Sequence, residues 1–184
     1  MIRSVCVYCA SSGRCPELYL EAAARLGRAL AGAGMQIVYG GSCLGSMGRM
    51  ADAAMAAGAR VVGVMPRFME ELEWSHGSLT ELRIVADMHE RKRTMLELAD
   101  AVVALPGGCG TLEELLEAIT WKRLGLFSGP VMMVNVNGFY DSCLALLNRS
   151  VEERFMEEKH RSMWTVVEEP EDVVQALARA AGAS

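Results

Sequence analysis

Three features of this 184-residue chain predict an α/β fold, a parallel sheet with helices on both faces. Short apolar runs such as Ala101-Val102-Val103-Ala104-Leu105 read as strands buried on both sides. Segments with helical spacing of apolar residues alternate with these strands from one end of the chain to the other. Glycine-rich turns sit at two of the strand-to-helix crossings, Gly40 to Gly48 and Gly107 to Gly110. In such sheets ligands bind beyond the carboxyl ends of the strands, where these turns converge.

The elements follow in order. Ser4 to Cys9 is a strand, and Ala10-Ser11-Ser12-Gly13 is the loop at its carboxyl end. Pro16 opens an alanine- and leucine-rich helix that Gly32 and Gly34 stop near Ala33. Gln36 to Tyr39 is the second strand, and its glycine turn opens a helix through Ala57. Arg60 to Met65 is the third strand, ended by Pro66; residues 67–78 read as irregular or partly helical. Leu82 to Val85 is a short strand and Asp87 starts the next helix, with Glu90 completing a capping box. After the strand at 101–105, Leu112, Leu115, Leu116 and Ile119 recur at helical spacing. Pro130 to Asn135 is a strand, Phe139 to Arg149 a helix, Trp164 to Val167 a short strand, and Pro170 opens the last helix. The chain reads as one domain over residues 1–184, long enough to bury a substantial core.

Composition narrows the function. A net charge of −5 argues against a nucleic-acid surface, which is usually basic. No apolar run approaches the roughly 20 residues of a membrane span, and no signal peptide is evident, so the expected location is cytoplasmic. Of six cysteines, Cys6 and Cys9 form a C-x-x-C, but inside a strand and with no histidine at zinc spacing. Reduced core thiols are the expectation, and no metal site.

The chemistry concentrates in Leu105-Pro106-Gly107-Gly108-Cys109-Gly110-Thr111-Leu112-Glu113-Glu114. Glycines at the start of a helix leave backbone N–H groups unobstructed beside the positive end of the dipole, which suits a phosphate. Gly107, Gly108, Gly110 and the Thr111 hydroxyl are therefore candidate phosphate ligands. Thr111 and Glu114 also fit a capping box, with Thr111 as N-cap. The turn with Gly40, Gly41, Gly45 and Gly48 is a second candidate for phosphate or ribose, although its glycines also suit close helix-strand packing. It is no G-x-G-x-x-G, since Ser42 holds the middle position, and it lacks the lysine of a P-loop. Ser11, in the loop after the first strand, joins the candidate ligands.

On the helix after Asp87, Lys92 falls on the apolar stripe of Met88, Met95 and Ala99, with Arg91 at its flank. A cation there needs a partner or must snorkel outward; a functional alternative is that both reach an anion or sugar. Met88 and Lys92 are assigned to the pocket lining or its support, together with residues 67–78 and a partner subunit. Arg93, Glu113 and Glu117 are expected in solvent, and His76 and His89 in structural hydrogen bonds. Trp121 lies opposite its helix's apolar stripe, which suggests contact with a second subunit.

Pro106 to Glu114 is similar to the P-G-G-x-G-T-x-x-E signature of the LOG ("lonely guy") family of cytokinin riboside 5′-monophosphate phosphoribohydrolases, often mislabelled lysine decarboxylases. The resemblance extends over nearly the whole chain, through Cys9-Ala10-Ser11-Ser12, Tyr39-Gly40-Gly41, Gly45-Ser46-Met47-Gly48, Met88-His89-Glu90-Arg91-Lys92 and Gly138-Phe139-Tyr140-Asp141. It departs at Ser42, where many members carry a third glycine, and at Cys9-Ala10, where Cys-Gly is frequent. The resemblance implies a Rossmann-like three-layer homodimer that hydrolyses the N-glycosidic bond of a nucleoside 5′-monophosphate. It implies Arg91 and Glu114 as the catalytic pair and no cofactor. Arg91 is then expected to hold Glu114 ionised by charge pairing. The rival readings are a nucleotide or cofactor carrier on the same scaffold, a lysine decarboxylase, and a general AMP or pyrimidine nucleotide nucleosidase.

Overall fold

The computed structural model describes residues 1–70 and 75–182. Seven strands form one sheet: β1 (Ser4–Tyr8), β2 (Gln36–Tyr39), β3 (Val61–Pro66), β4 (Glu81–Val85), β5 (Ala101–Ala104), β6 (Val131–Val134) and β7 (Thr165–Val167). Every pairing is parallel, in the order β4-β3-β2-β1-β5-β6-β7.

Side chains alternate across a strand, so β1 divides the core in two. Val5 and Val7 face one layer, with Leu26 and Leu30 of α1 (Glu17–Gly32), Met50 and Ala54 of α2 (Gly45–Ala56), and Val173 and Leu177 of α7 (Asp172–Gly182). Cys6 and Tyr8 face the other. That layer holds Met95 and Leu96 of α4 (Met88–Glu97), Leu115 and Ile119 of α5 (Cys109–Arg123), and Leu147 of α6 (Asp141–Glu152). This is the three-layer, Rossmann-like sandwich expected. A short helix, α3 (Arg67–Glu70), follows β3. The segment assigned to residues 67–78 lies partly outside the described residues.

From β1 the chain steps outward to β4; α4 then carries it back over the sheet to β5 on the far side of β1. The loops after β1 and β5 therefore diverge above adjacent strands and open a crevice. Three helix starts differ from expectation, the last being α7, which begins at Asp172 rather than Pro170. Helix α5 begins at Cys109 with Gly108 as N-cap, so Thr111 is no cap; α6 begins at Asp141, after Phe139 and Tyr140. Glycines left the start of α5 ambiguous in sequence; the backbone turns helical after the four residues 105–108.

Candidate active site

A cavity of about 270 Å³ opens above the carboxyl ends of the central strands. Gly108, Gly110 and Thr111 form one wall. The first hydrogen bond of α5 runs from the Leu112 N–H to the Gly108 carbonyl at 3.0 Å. The N–H groups of Cys109, Gly110 and Thr111 precede it and have no carbonyl of their own helix to bind. Such a helix start has the geometry to accept an anion. Its floor is braced from below, where the buried Tyr140 hydroxyl donates to the Leu105 carbonyl at 2.7 Å and the Asn135 side chain accepts from Tyr140 N–H.

The loop after β1 supplies Ser11 and Ser12, and the loop after β2 supplies Gly40 and Ser42. Ser42 is buried, and its hydroxyl accepts from the Leu44 N–H at 3.1 Å, so the residue that replaces glycine shapes the turn into α2. Met47, Met69 and Met88 add an apolar face. Met69 falls in the 67–78 segment assigned to the pocket, whereas sequence reasoning missed Met47 as a wall. Nothing in the spacing of a methionine distinguishes a cavity wall from core.

At the heart of the cavity Arg91 and Glu114 meet, Nη1 to Oε1, at 3.1 Å. Each is 4% exposed. Arg91 Nε also donates to the Val64 carbonyl of β3 at 3.1 Å, which fixes the guanidinium plane. The placement requires a glycine at position 40, since a Cβ there would collide with the guanidinium. The pair does not behave as expected from charge alone. Burial outweighs Arg91 and pushes the Glu114 carboxyl up to about 7, with the neighbouring Glu113 charge adding to the rise. Arg91 therefore does not hold Glu114 fully ionised at neutral pH.

Of the residues assigned to the site, Ser11, Gly40, Met88, Arg91, Gly108, Gly110, Thr111 and Glu114 line the cavity. Gly41, Gly45, Gly48 and Gly107 are not among its walls. Gly45, at φ +57°, seats α2 against the Ser11 and Ser12 carbonyls, and Gly107 lies tight under Thr111. Lys92 also turns away, to bind Glu113 and, at 3.2 Å, Glu117. Glu113 stays exposed, as expected, and Glu117 is half-buried, while the lysine that binds both is 6% exposed. His76 bonds Asp52 at 3.0 Å, as a structural histidine should, but His89 is exposed. Arg93 is exposed as expected.

A family profile described as "Possible lysine decarboxylase" matches residues 47–177. Among curated relatives, the cytokinin riboside 5′-monophosphate phosphoribohydrolase LOG3 of Arabidopsis thaliana is 40% identical over 175 residues, 95% of this chain and 81% of that one. The LOG enzyme of Oryza sativa subsp. japonica is 45% identical over 159 residues, 86% of this chain and 66% of that one. Among solved structures, the molybdenum cofactor binding protein of Rippkaea orientalis superposes with a TM-score of 0.73 over 97% of both chains at 18% identity. The molybdenum cofactor carrier protein of Chlamydomonas reinhardtii gives 0.73 over 99% of both, also at 18%. At that identity the likeness is one of fold.

Proposed function

The chain belongs to the LOG family, and from that premise we propose that it hydrolyses the N-glycosidic bond of cytokinin riboside 5′-monophosphates, releasing free base and ribose 5-phosphate. The observation that carries the reading is the buried Arg91–Glu114 pair set beside an open helix N-terminus in one cavity. As the C1′–N bond breaks, its electron pair leaves with the base, positive charge builds on the ribose, and a water oxygen bonds C1′ while the proton that water gives up ends on the departing base. Ionised Glu114 stabilises that charge and orients the water. Arg91 anchors the substrate and the carboxylate. The free N–H groups at the start of α5, with Thr111 and Ser11, grip the 5′-phosphate, so binding energy remote from C1′ places the sugar. The base extends toward Met69 and Met88, whose thioether chains suit an apolar substituent on a purine. No cofactor enters the scheme.

The reading includes a homodimer formed through α5. Leu112, Leu116, Trp121 and Leu124 line a groove along that helix, and Leu116 and Leu124 are 42% and 60% exposed, more apolar surface than a lone subunit favours. It also places the protein in the cytoplasm, where its six free thiols stay reduced. The test is chromatographic: isopentenyladenosine monophosphate and AMP are incubated in parallel with the protein and assayed for base and ribose 5-phosphate. Release from the prenylated nucleotide at a higher kcat/KM than from AMP is the expected result. Binding of both without release of base refutes the reading and favours a carrier.

A further inference from the structure

We propose that Lys92 is a positioning residue for this reaction: by binding Glu113 and Glu117 it fixes α5 against α4, so that Arg91 meets Glu114 in a productive geometry. The inference rests on the phosphoribohydrolase reading. Arg91 and Lys92 are consecutive on α4, as Glu113 and Glu114 are on α5, and the two cations bridge the same pair of helices side by side. Both helices flank β5: α4 leads into it through residues 98–100, and α5 leaves it after residues 105–108. Between those links the paired side chains tie the two helices directly to each other.

The arrangement is costly for its own sake. Lys92 is 6% exposed, and Glu117 gives it one oxygen while its other oxygen, Oε2, is buried without a hydrogen-bond partner. Apolar side chains of similar size would commonly hold two helices together as well or better. A half-satisfied ionic cluster beside a catalytic carboxylate has a different effect: it fixes geometry and local potential. The groups facing Glu114 are Arg91 and Lys92 from α4 and Glu113 and Glu117 on its own helix. From β1 and the residue after it come the buried Cys6, Tyr8 and Cys9, all neutral, since burial pushes each of them up. Lys92 thus offsets two carboxylates that would otherwise bear on Glu114 directly.

Lys92→Gln and Lys92→Arg, assayed on isopentenyladenosine monophosphate across pH, test the assignment. Lys92→Gln is expected to lower kcat by about tenfold or more, with KM much less affected, and to move the midpoint of the rate's rise to higher pH. Lys92→Arg is expected to restore the midpoint. Glu117→Gln, which removes a negative charge and leaves Lys92 its Glu113 partner, is expected to move it to lower pH; this variant decides the matter should Lys92→Gln not fold. A wild-type kcat and midpoint in Lys92→Gln overturn the proposal, whatever happens to Tm, because a lysine needed only for folding leaves both unchanged. If the wild-type protein releases no base, the reaction falls by itself. The position of Lys92 is then decided by the pH at which Tm declines: displacement in Lys92→Gln supports it and coincidence with wild type overturns it.

Discussion

Glu114 joins burial, charge and chemistry in one residue. Its carboxyl titrates near 7 in the fold against about 4.5 when exposed. Between those values the folded protein holds a proton that the unfolded chain has released, so stability falls as pH rises through this window. The loss is absent below about 4.5 and complete above about 7, on the order of 3 kcal/mol at full extent. Glu114→Gln abolishes it, so the variant is expected to lose less Tm than wild type between pH 5 and pH 8. Parallel Tm profiles contradict the assignment. Arg91 and Glu114 were legible in sequence, as a cation at the flank of an apolar stripe and as an acid one turn past a glycine cradle. The proton on Glu114 was not. It depends on β1, α4 and α5 closing over it, which charge pairing in sequence does not reveal.

The glycine turns were legible as elements of the site, but their division of labour was not. Gly108 and Gly110 face the cavity, whereas Gly40 makes room for an arginine 51 residues away in sequence and Gly45 lets the β1 loop lie on α2. Gly40→Ala is expected to displace the Arg91 guanidinium and cut kcat by about 100-fold, with a stability cost of about 1–3 kcal/mol. An unchanged kcat removes Arg91 from the mechanism as drawn. The Gly138 to Asp141 motif, which had no chemistry in sequence, proves to brace the loop after β5 through Tyr140. Tyr140→Phe leaves the Leu105 carbonyl without this donor and is expected to cost about 1–3 kcal/mol in denaturant unfolding. A variant as stable as wild type places that brace elsewhere.

The whole molecule follows a pattern that sequence conveys well, because fully apolar strands and alternating helices permit few other arrangements. Architecture alone does not fix what such a sheet does; molybdenum cofactor proteins share it at 18% identity. Function lies in the site, and the proposed dimer would use the apolar groove of α5, which Trp121 also lines. Leu116→Glu is expected to convert a dimer into a monomer in sedimentation, and an unchanged mass moves the interface off α5. The central claim is that ionised Glu114, paired with Arg91, cleaves the glycosidic bond. Its most direct test is single-turnover cleavage of isopentenyladenosine monophosphate by wild type and Glu114→Gln from pH 5 to pH 8, with nucleotide affinity measured alongside. The wild-type rate should rise with a midpoint near 7, and Glu114→Gln should lose on the order of 100-fold or more while binding nearly as tightly. A variant that cleaves at the wild-type rate, with the same rise, contradicts the account.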